Sequence, residues 1–277
     1  MFHLSNILTR SLILKHAMMP AKPSSAMSHL LWTGGWDSTF RVIQAVVLEE
    51  RVVQPHYVVD LRRTGFGAEI RAMADIKRRI AERFPAARDR LLAVEIFQRD
   101  DIPEDAALRE RFDLLRSQQW LGDQYEWLAR FARWRQLSSL ELAIHRDDRA
   151  YEFVHSLVEQ GDDGRYRLRQ PIEDPAFEVF EPFVFPILSL TKLDMGRIAA
   201  EHRFADILEH TWFCHTPDAR GRPCGRCNPC RYAIDEGLAR RVPRFNRLKY
   251  QVRRRIPRAA LPLVQAVGRV LRGGRGS

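Results

Sequence analysis

The segment SHLLWTGGWDSTFRVIQAVVLEE, residues 28–50, decides the fold. Residues 28–33 read as a short buried strand, Gly34 and Gly35 as a tight turn, and residues 38–49 as an amphipathic helix. A strand, a tight turn and a helix in this order are typical of the first unit of a parallel sheet covered by helices.

The same alternation continues downstream. Further strands are predicted over residues 52–59, 91–97 and 139–144, and helices over residues 69–84, 124–135 and 192–202. Residues 99–123 are charged and predicted to be helical, residues 160–169 form a Gly/Asp-containing excursion, and Thr191 is a helix cap. Trp120, Trp127 and Trp134 are spaced seven residues apart, and this spacing predicts that their side chains lie on one helix face in the core. The order predicts an α/β fold with a doubly wound, mostly parallel sheet.

The length bounds the number of domains. A chain of 277 residues has room for one α/β domain of about 200 residues plus small appendages. No stretch approaches the roughly 18–20 apolar residues that a membrane-spanning helix needs, so we expect a soluble, cytoplasmic protein. The predicted parts are a disordered or misassigned leader (1–27), the main α/β domain (28–210), a cysteine-containing segment (211–239) and a basic tail (240–277).

The formal net charge of +10 is concentrated at the C-terminal end. Residues 240–277 contain twelve Lys or Arg and no acid, whereas residues 1–239 contain 33 basic and 35 acidic residues. A run of this kind is typical either of a solvated or disordered tail or of a weak contact with RNA or an anionic surface. The sequence leaves both interpretations open.

The turn TGGWDST, residues 33–39, has the composition of a phosphate site. It follows the first strand, and open parallel sheets bind ligands beyond the carboxyl ends of their strands. The two glycines let the backbone approach an anion, and the free N–H groups of a helix N-terminus attract its charge. The G-x-G-x-x-G and G-x-x-x-x-G-K-S/T patterns of other nucleotide sites are absent. The alternative interpretation is a plain Gly-Gly turn with Asp37 as the helix cap.

The four cysteines of the chain lie in one window with the spacing C-x9-C-x2-C-x2-C. They are Cys214, Cys224, Cys227 and Cys230. Two-residue gaps let thiolates converge on one ion, and four thiolates complete a closed tetrahedral shell, which predicts a structural Zn²⁺ site. An iron–sulfur cluster and a pair of disulfides are the alternatives.

Three motifs carry a family resemblance. The turn resembles the SGGxDS motif of PP-loop ATP pyrophosphatases, with Thr33 in place of the first serine. The segments PILSLTKLDM (186–195) and TWFCHTPDARGRPCGRCNPC (211–230) are similar to two motifs of 7-cyano-7-deazaguanine synthases, which pair a PP-loop domain with a four-cysteine zinc site. The resemblance spans residues 28–232 and implies a PP-loop (HUP-like, Rossmann-like) domain with a small C-terminal zinc-binding subdomain.

That resemblance implies a chemistry. Family members adenylate a carboxylate and then an amide with release of pyrophosphate, and so convert 7-carboxy-7-deazaguanine and ammonia to 7-cyano-7-deazaguanine for queuosine biosynthesis. The implied cofactors are ATP, Mg²⁺ and Zn²⁺, the implied partners are a small-molecule carboxylate and ammonia, and a homodimer is compatible with the family. The implied nucleotide-binding residues are Thr33, Gly34, Gly35, Trp36, Asp37, Ser38 and Thr39. Independently of the resemblance, the position of Asp60 at the end of the second predicted strand suggests a contact near the ribose or adenine. The implied catalytic residues are Asp37, Ser38 and Lys192.

The acceptor side departs from the family. Residues 59–63 replace Y-G-Q-R-H, with Glu69 in the place of the Glu that follows that motif, residues 122–125 replace P-x-R-N, and residues 145–149 replace Y-P-D-C-R. We therefore expect a retained ATP side and an altered acceptor, with Asp147, Asp148 and Arg149 either facing that acceptor or forming a solvated turn. Two other functions stay open: a tRNA-modifying PP-loop enzyme of the thiolation type that holds an iron–sulfur cluster, and a non-catalytic zinc-containing interaction protein.

Overall fold

The computed structural model describes residues 27–235 and 237–255. Nearly all of the predicted leader and the last part of the basic tail, residues 256–277, lie outside these residues. The described residues divide into two compact units. The larger comprises residues 27–62 and 66–212, and the smaller comprises residues 63–65 and the described residues from 213 to 255.

The larger unit is built on a five-stranded parallel sheet. Its strands are β1 (Ser28–Leu31), β2 (Val53–Val59), β3 (Glu95–Gln98), β4 (Leu140–Glu141) and β7 (Phe183–Val184), while β5 (Val158–Gln160) and β6 (Tyr166–Leu168) form a separate antiparallel hairpin. The order across the sheet is β3-β2-β1-β4-β7. This order confirms the predicted doubly wound α/β fold, in which the chain moves outward in both directions from β1.

Helices cover both faces of this sheet. They are α1 (Trp36–Ile43), α2 (Phe66–Arg83), α3 (Ala106–Gln118), α4 (Gln124–Trp134), α5 (Tyr151–Val154), α6 (Lys192–Glu201) and α7 (Ala205–Leu208). Successive strand residues point to opposite faces, so Leu30 belongs to the core cluster beneath α1, α2 and α6, and Leu31 to the cluster beneath α3 and α4. In the described part of the chain, no helix combines the length and apolarity that crossing a membrane requires.

Several element boundaries differ from the predicted ones. Helix α1 begins at Trp36, before the predicted start, and runs into a π-helical segment at Gln44–Leu48. The strand predicted over residues 91–97 begins at Glu95, because Leu91 makes only an isolated bridge to Val53. The excursion predicted over residues 160–169 contains most of the β5–β6 hairpin. The capping prediction for Thr191 is confirmed.

The prediction that three tryptophans share a buried helix face is wrong. Only Trp127 is buried, whereas Trp120 is 57% exposed and Trp134 is 40% exposed. The physical reason is that α3 ends at Gln118 and α4 begins only at Gln124, so the sevenfold spacing does not lie on one continuous helix. The guanidinium of Arg149 stacks over the exposed indole of Trp120, 5.3 Å from the ring centre.

A buried ion network joins α1 to β4. Arg41 donates from Nε to Glu141 at 2.6 Å and also pairs with Glu49, and both Arg41 and Glu141 are almost completely buried. Arg165, which follows the β5–β6 turn, donates a further hydrogen bond to Glu141 at 3.0 Å. Burial by itself would lower the pKa of Arg41, but the two carboxylates outweigh it and raise that pKa. The network fixes α1 relative to β4, and these two elements lead into and out of the candidate site.

The smaller unit contains the cysteine loop and two helices, α8 (Asn228–Asp235) and α9 (Arg244–Arg255). Helix α9 lies against the loop through Asn246, whose Nδ2 donates to the carbonyl of Pro223 at 2.8 Å. Its next turn is held to α8, because the hydroxyl of Tyr250 donates to Asp235 at 3.1 Å.

Candidate functional site

The turn after β1 lies at the point where the sheet changes direction. Strands β2 and β3 lie on one side of β1, and β4 and β7 lie on the other. The connections from β1 to β2 and from β4 to β7 therefore leave in opposite directions, which opens a crevice beyond the carboxyl ends of β1 and β4. Residues 33–39 follow β1 and residues 142–148 follow β4, so both segments line the usual ligand position of this fold.

Gly34 makes the sharp part of this turn. Its φ is +68°, a left-handed conformation that side chains disfavour. A Cβ at this position would lie 3.1 Å from both the carbonyl oxygen of Glu69 and the Cγ of Met73 on α2. The carbonyl of Gly34 accepts a hydrogen bond from the N–H of Trp212 at 2.8 Å. The turn is therefore fixed from two directions and has room only for glycine.

The N-terminus of α1 has no side-chain cap. Its N-cap residue is Gly35, in an extended conformation, and no side chain accepts from the first-turn N–H groups. The neighbouring helix α6 is capped completely: Thr191 and Asp194 form a reciprocal capping box, and the N–H of Lys192 donates to Asp147 Oδ2 at 2.9 Å. An uncapped helix start presents N–H donors and the positive end of a helix dipole, which together favour an anion.

The side chains of the turn fall into two groups. Thr33 is exposed, and its hydroxyl lies 3.4 Å from that of Ser38, which in turn donates to the Gly35 carbonyl. Thr39 is fully buried and accepts from Trp32 Nε1 at 3.0 Å, so its hydroxyl belongs to the core. Trp36 packs against the core, and its indole N–H is buried without a hydrogen-bond acceptor among the described residues.

Asp37 faces His145 across the crevice. The Asp37 Oδ1 atom lies 3.6 Å from His145 Nε2, which is too long for a hydrogen bond, and it has no hydrogen-bond partner within the described chain. His145 is buried, and its Nδ1 accepts from the N–H of Asp147 at 3.1 Å. Because Nδ1 is the acceptor in this hydrogen bond, the ring N–H lies at Nε2, on the side of Asp37.

Asp148 and Lys192 complete the polar cluster around the turn. Burial raises the pKa of Asp148, and the charge of Asp37 adds to this shift, whereas the Ala150 N–H, His145 and Lys192 oppose it. The carboxylates of Asp37 and Asp148 beside an anion site form a suitable position for a divalent cation, because Mg²⁺ is commonly held by one or two carboxylates together with substrate phosphates.

Asp60 lies apart from this cluster. It follows β2, and its carboxylate accepts from the N–H of Arg62 at 3.1 Å and from Arg99 Nη1 at 3.2 Å. Glu69, the residue in the place of the family's Glu, accepts a hydrogen bond from the hydroxyl of buried Tyr57. The predicted role of Asp60 near the ribose or adenine stays a prediction.

Sequence reasoning gave no role to His145. The only signal was its position directly after the predicted fourth strand, inside the segment that replaces Y-P-D-C-R. Its contact with Asp37 joins residues more than a hundred positions apart, and it depends on β1 and β4 being neighbours in the sheet. For Asp147 and Asp148 the sequence allows either a contact with the acceptor or a solvated turn. In the structure both residues lie in the same cluster as Lys192.

The four cysteines converge in the smaller unit. Their Sγ atoms all lie within 4.8 Å of one another, with 3.9 Å between Cys224 and Cys230 and between Cys214 and Cys227. A tetrahedral ion with metal–sulfur bonds of about 2.3 Å would separate its ligands by roughly 3.8 Å. The residues present therefore fit one four-coordinate ion.

Backbone donors surround these sulfurs. The N–H groups of Arg226 and Cys227 each donate to Cys224 Sγ at 3.4 Å, and that of Cys224 donates to Cys214 Sγ at 3.2 Å. As thiols, the four groups compete for protons: a hydrogen bond with Cys227 raises the pKa of Cys214 to about 12, and one with Cys214 raises the pKa of Cys230. Backbone N–H groups and a bound cation both favour the thiolate, so this donor set suits a metal.

Comparisons with known proteins give little guidance. The chain matches no protein-family model and no curated protein. The structure of the U34-tRNA thiolase NcsA from Methanococcus maripaludis with its [4Fe-4S] cluster is similar with a TM-score of 0.42 and 12% sequence identity, over 91% of this chain and 80% of that one. A likeness this distant carries no information about the chemistry of the present chain.

Proposed function

We propose that the chain is a PP-loop enzyme that uses ATP to adenylate a carboxylate or an amide and releases pyrophosphate. One observation carries this proposal: an uncapped, glycine-lined helix start at the switch point of the sheet faces a cluster of Asp37, His145, Asp148 and Lys192. A triphosphate meets N–H donors and a cation there, while the carboxylates are placed for Mg²⁺.

Each group has a part in the reaction. An acceptor oxygen attacks the α-phosphorus, and the bond between that phosphorus and the α–β bridging oxygen breaks, so the negative charge moves to the leaving pyrophosphate. The N–H groups of α1, the Ser38 hydroxyl and Lys192 stabilise that charge. Asp37 and Asp148 would hold Mg²⁺, which when bound would offset the negative charge of the phosphates. Buried His145 lies 3.6 Å from Asp37 and is proposed as a positioning residue for that carboxylate.

The acceptor belongs to the finer part of the proposal. The three motifs that resemble 7-cyano-7-deazaguanine synthases favour 7-carboxy-7-deazaguanine, with ammonia displacing the adenylate to give an amide, whose activation by a second ATP yields the nitrile. This is the chemistry of an ATP-dependent C–N ligase. The altered segments 59–63, 122–125 and 145–149 favour a related carboxylate instead. A homodimer and a cytoplasmic location stay predictions.

The ion at the cysteines is proposed to be Zn²⁺. The separations of about 3.9 Å within two of the sulfur pairs support a single tetrahedral ion. A four-iron cluster attaches each thiolate to a different iron atom, which places the sulfurs farther apart. The site has four protein ligands and no open position, so its proposed role is to stabilise the smaller unit.

The test is pyrophosphate release from MgATP by the full chain, with bound metal assayed beforehand. We expect release that depends on a carboxylate, with AMP as the second product, for 7-carboxy-7-deazaguanine plus ammonium or for another member of a carboxylate panel.

Lys192→Met should lower the rate about 100-fold, because it removes the cation that stabilises the charge on the departing pyrophosphate, and His145→Gln should lower it less. The adjacent Leu193→Ala, at a side chain that is 86% exposed, serves as the control and should retain the rate. ADP and phosphate as the products would contradict the proposal.

A further inference from the structure

Helix α9 carries a row of exposed apolar side chains. Phe245, Leu248 and Val252 are 65%, 57% and 53% exposed, respectively. Their spacing of three and four residues places them on one face of the helix. An amphipathic helix of a folded protein normally packs such an apolar face against the core. In α9 the apolar face is exposed instead.

Contacts on the other side of α9 fix this orientation. Asn246 is buried and bound to the Pro223 carbonyl, and Tyr250 is bound to Asp235. The backbone of Asn246 also lies close to Gly225, where an added Cβ would meet the Asn246 carbonyl oxygen at 2.6 Å. The helix therefore cannot rotate its apolar face inward without breaking these contacts.

The surroundings of the apolar face are basic. Arg244 is exposed and Arg247 is partly exposed, and the sequence from residue 240 to the end has twelve Lys or Arg and no acid. A second copy of this helix would meet the face with the same sign of charge, which opposes self-association. A partner must therefore offer both anionic groups and an apolar phase.

We propose that α9 docks on an anionic lipid surface, with Phe245, Leu248 and Val252 entering the interface between headgroups and acyl chains. A membrane surface takes up apolar side chains and attracts neighbouring cations at the same time. RNA phosphates would bind the cations, and an RNA base could stack on Phe245. RNA has, however, no apolar region in which the aliphatic side chains of Leu248 and Val252 would be buried. This inference is independent of the reaction proposed for the larger unit.

The experiment is flotation of the full chain with phosphatidylcholine vesicles that contain or lack phosphatidylglycerol, at physiological salt. Binding is expected only with phosphatidylglycerol. The triple variant Phe245→Ser, Leu248→Ser, Val252→Ser keeps every charge and should bind at least about tenfold more weakly, since three apolar side chains no longer leave water. Leu193→Ser, at an even more exposed apolar residue outside α9, should bind as the wild type does.

Metal content and circular dichroism of the triple variant establish that the smaller unit is still folded. Replacing Arg244 by Gln should weaken binding and reduce its dependence on salt. Unchanged vesicle binding by the triple variant would overturn the proposal, because charge alone would then explain the binding. Wild-type protein that retains tRNA on a filter but does not float with anionic vesicles would also overturn it and would identify RNA as the partner.

Discussion

Residues 33–39, called here the nucleotide turn after the function proposed for them, and residues 214–230, the cysteine loop, are both short loops that contain glycines. They would hold their proposed ligands in different ways. The cysteine loop uses four side chains that lie close together in sequence and converge within 4.8 Å. The nucleotide turn would bind through its backbone, and its polar neighbours His145 and Lys192 come from distant parts of the chain. A side-chain ligand set defines its chemistry locally, whereas a backbone site gains its chemistry from the fold around it.

The largest expected effect is at the cysteine loop. Cys227→Ser removes one of four thiolates, and we expect the bound metal to fall from one ion per chain to almost none, because structural zinc sites bind with roughly 10–16 kcal/mol only when complete. Metal analysis by mass spectrometry is the measurement, and it also separates zinc from iron. Arg220→Ser, an exposed non-ligand in the same loop, is the control. Full metal content in the cysteine variant would show that the four sulfurs do not share one ion.

The next effect breaks the support of the nucleotide turn without touching the cysteine loop. Glu141→Gln leaves Arg41 buried with one carboxylate fewer, so we expect the free energy of unfolding to fall by about 3–5 kcal/mol. Urea denaturation measures it. Glu82→Gln, in an exposed ion pair on α2, should leave stability unchanged. Equal stability of Glu141→Gln and wild type would mean that the network does not hold α1 against β4.

A smaller effect is expected from Gly34→Ala. The substituted residue must adopt a left-handed conformation and meet Glu69 and Met73, so we expect a loss of about 1–2 kcal/mol together with weaker nucleotide binding. Gly164→Ala is a matched control, because Gly164 also has a positive φ of 75° but an added Cβ there meets nothing within 4 Å. The control should lose stability and keep nucleotide binding. Equal nucleotide binding by the two variants would argue against a phosphate in the turn.

These contrasts explain how much the sequence could predict. The alternation of strands and helices followed from the apolar segments, and the turn and the cysteine motif could be identified from spacing alone, because both depend on residues that are local in sequence. His145 could not be assigned, since its proximity to Asp37 depends on β1 pairing with β4. The tryptophans were misjudged because a break between α3 and α4 interrupts the periodicity on which that prediction depended.

The smallest effect concerns pH. Because the pKa of Asp148 is raised in the folded chain, the folded state binds this proton more tightly than the unfolded state does. Stability from this group is therefore greatest below the usual Asp range and falls as the pH rises through the raised pKa. Asp148→Asn removes the ionisable group and therefore also removes this loss of stability at higher pH.

Without Mg²⁺ and ATP, the Asp148→Asn variant should be more stable than wild type at neutral pH and no more stable in acid, as measured by urea denaturation at both pH values. The exposed Asp162→Asn should show no such difference. A variant that is less stable than wild type at neutral pH would contradict the assignment of a partly buried carboxylate with a raised pKa to this position.

We propose that the turn after β1 binds the phosphates of ATP, and equilibrium binding of a nucleotide analogue tests this proposal. The measurement is a calorimetric titration of the full chain with α,β-methylene-ATP and Mg²⁺, an analogue in which the bond to be broken cannot be cleaved. We expect saturable binding by the wild type and by Gly164→Ala, with much weaker binding by Gly34→Ala. Absence of binding by wild-type protein, or equal binding by all three, would contradict it.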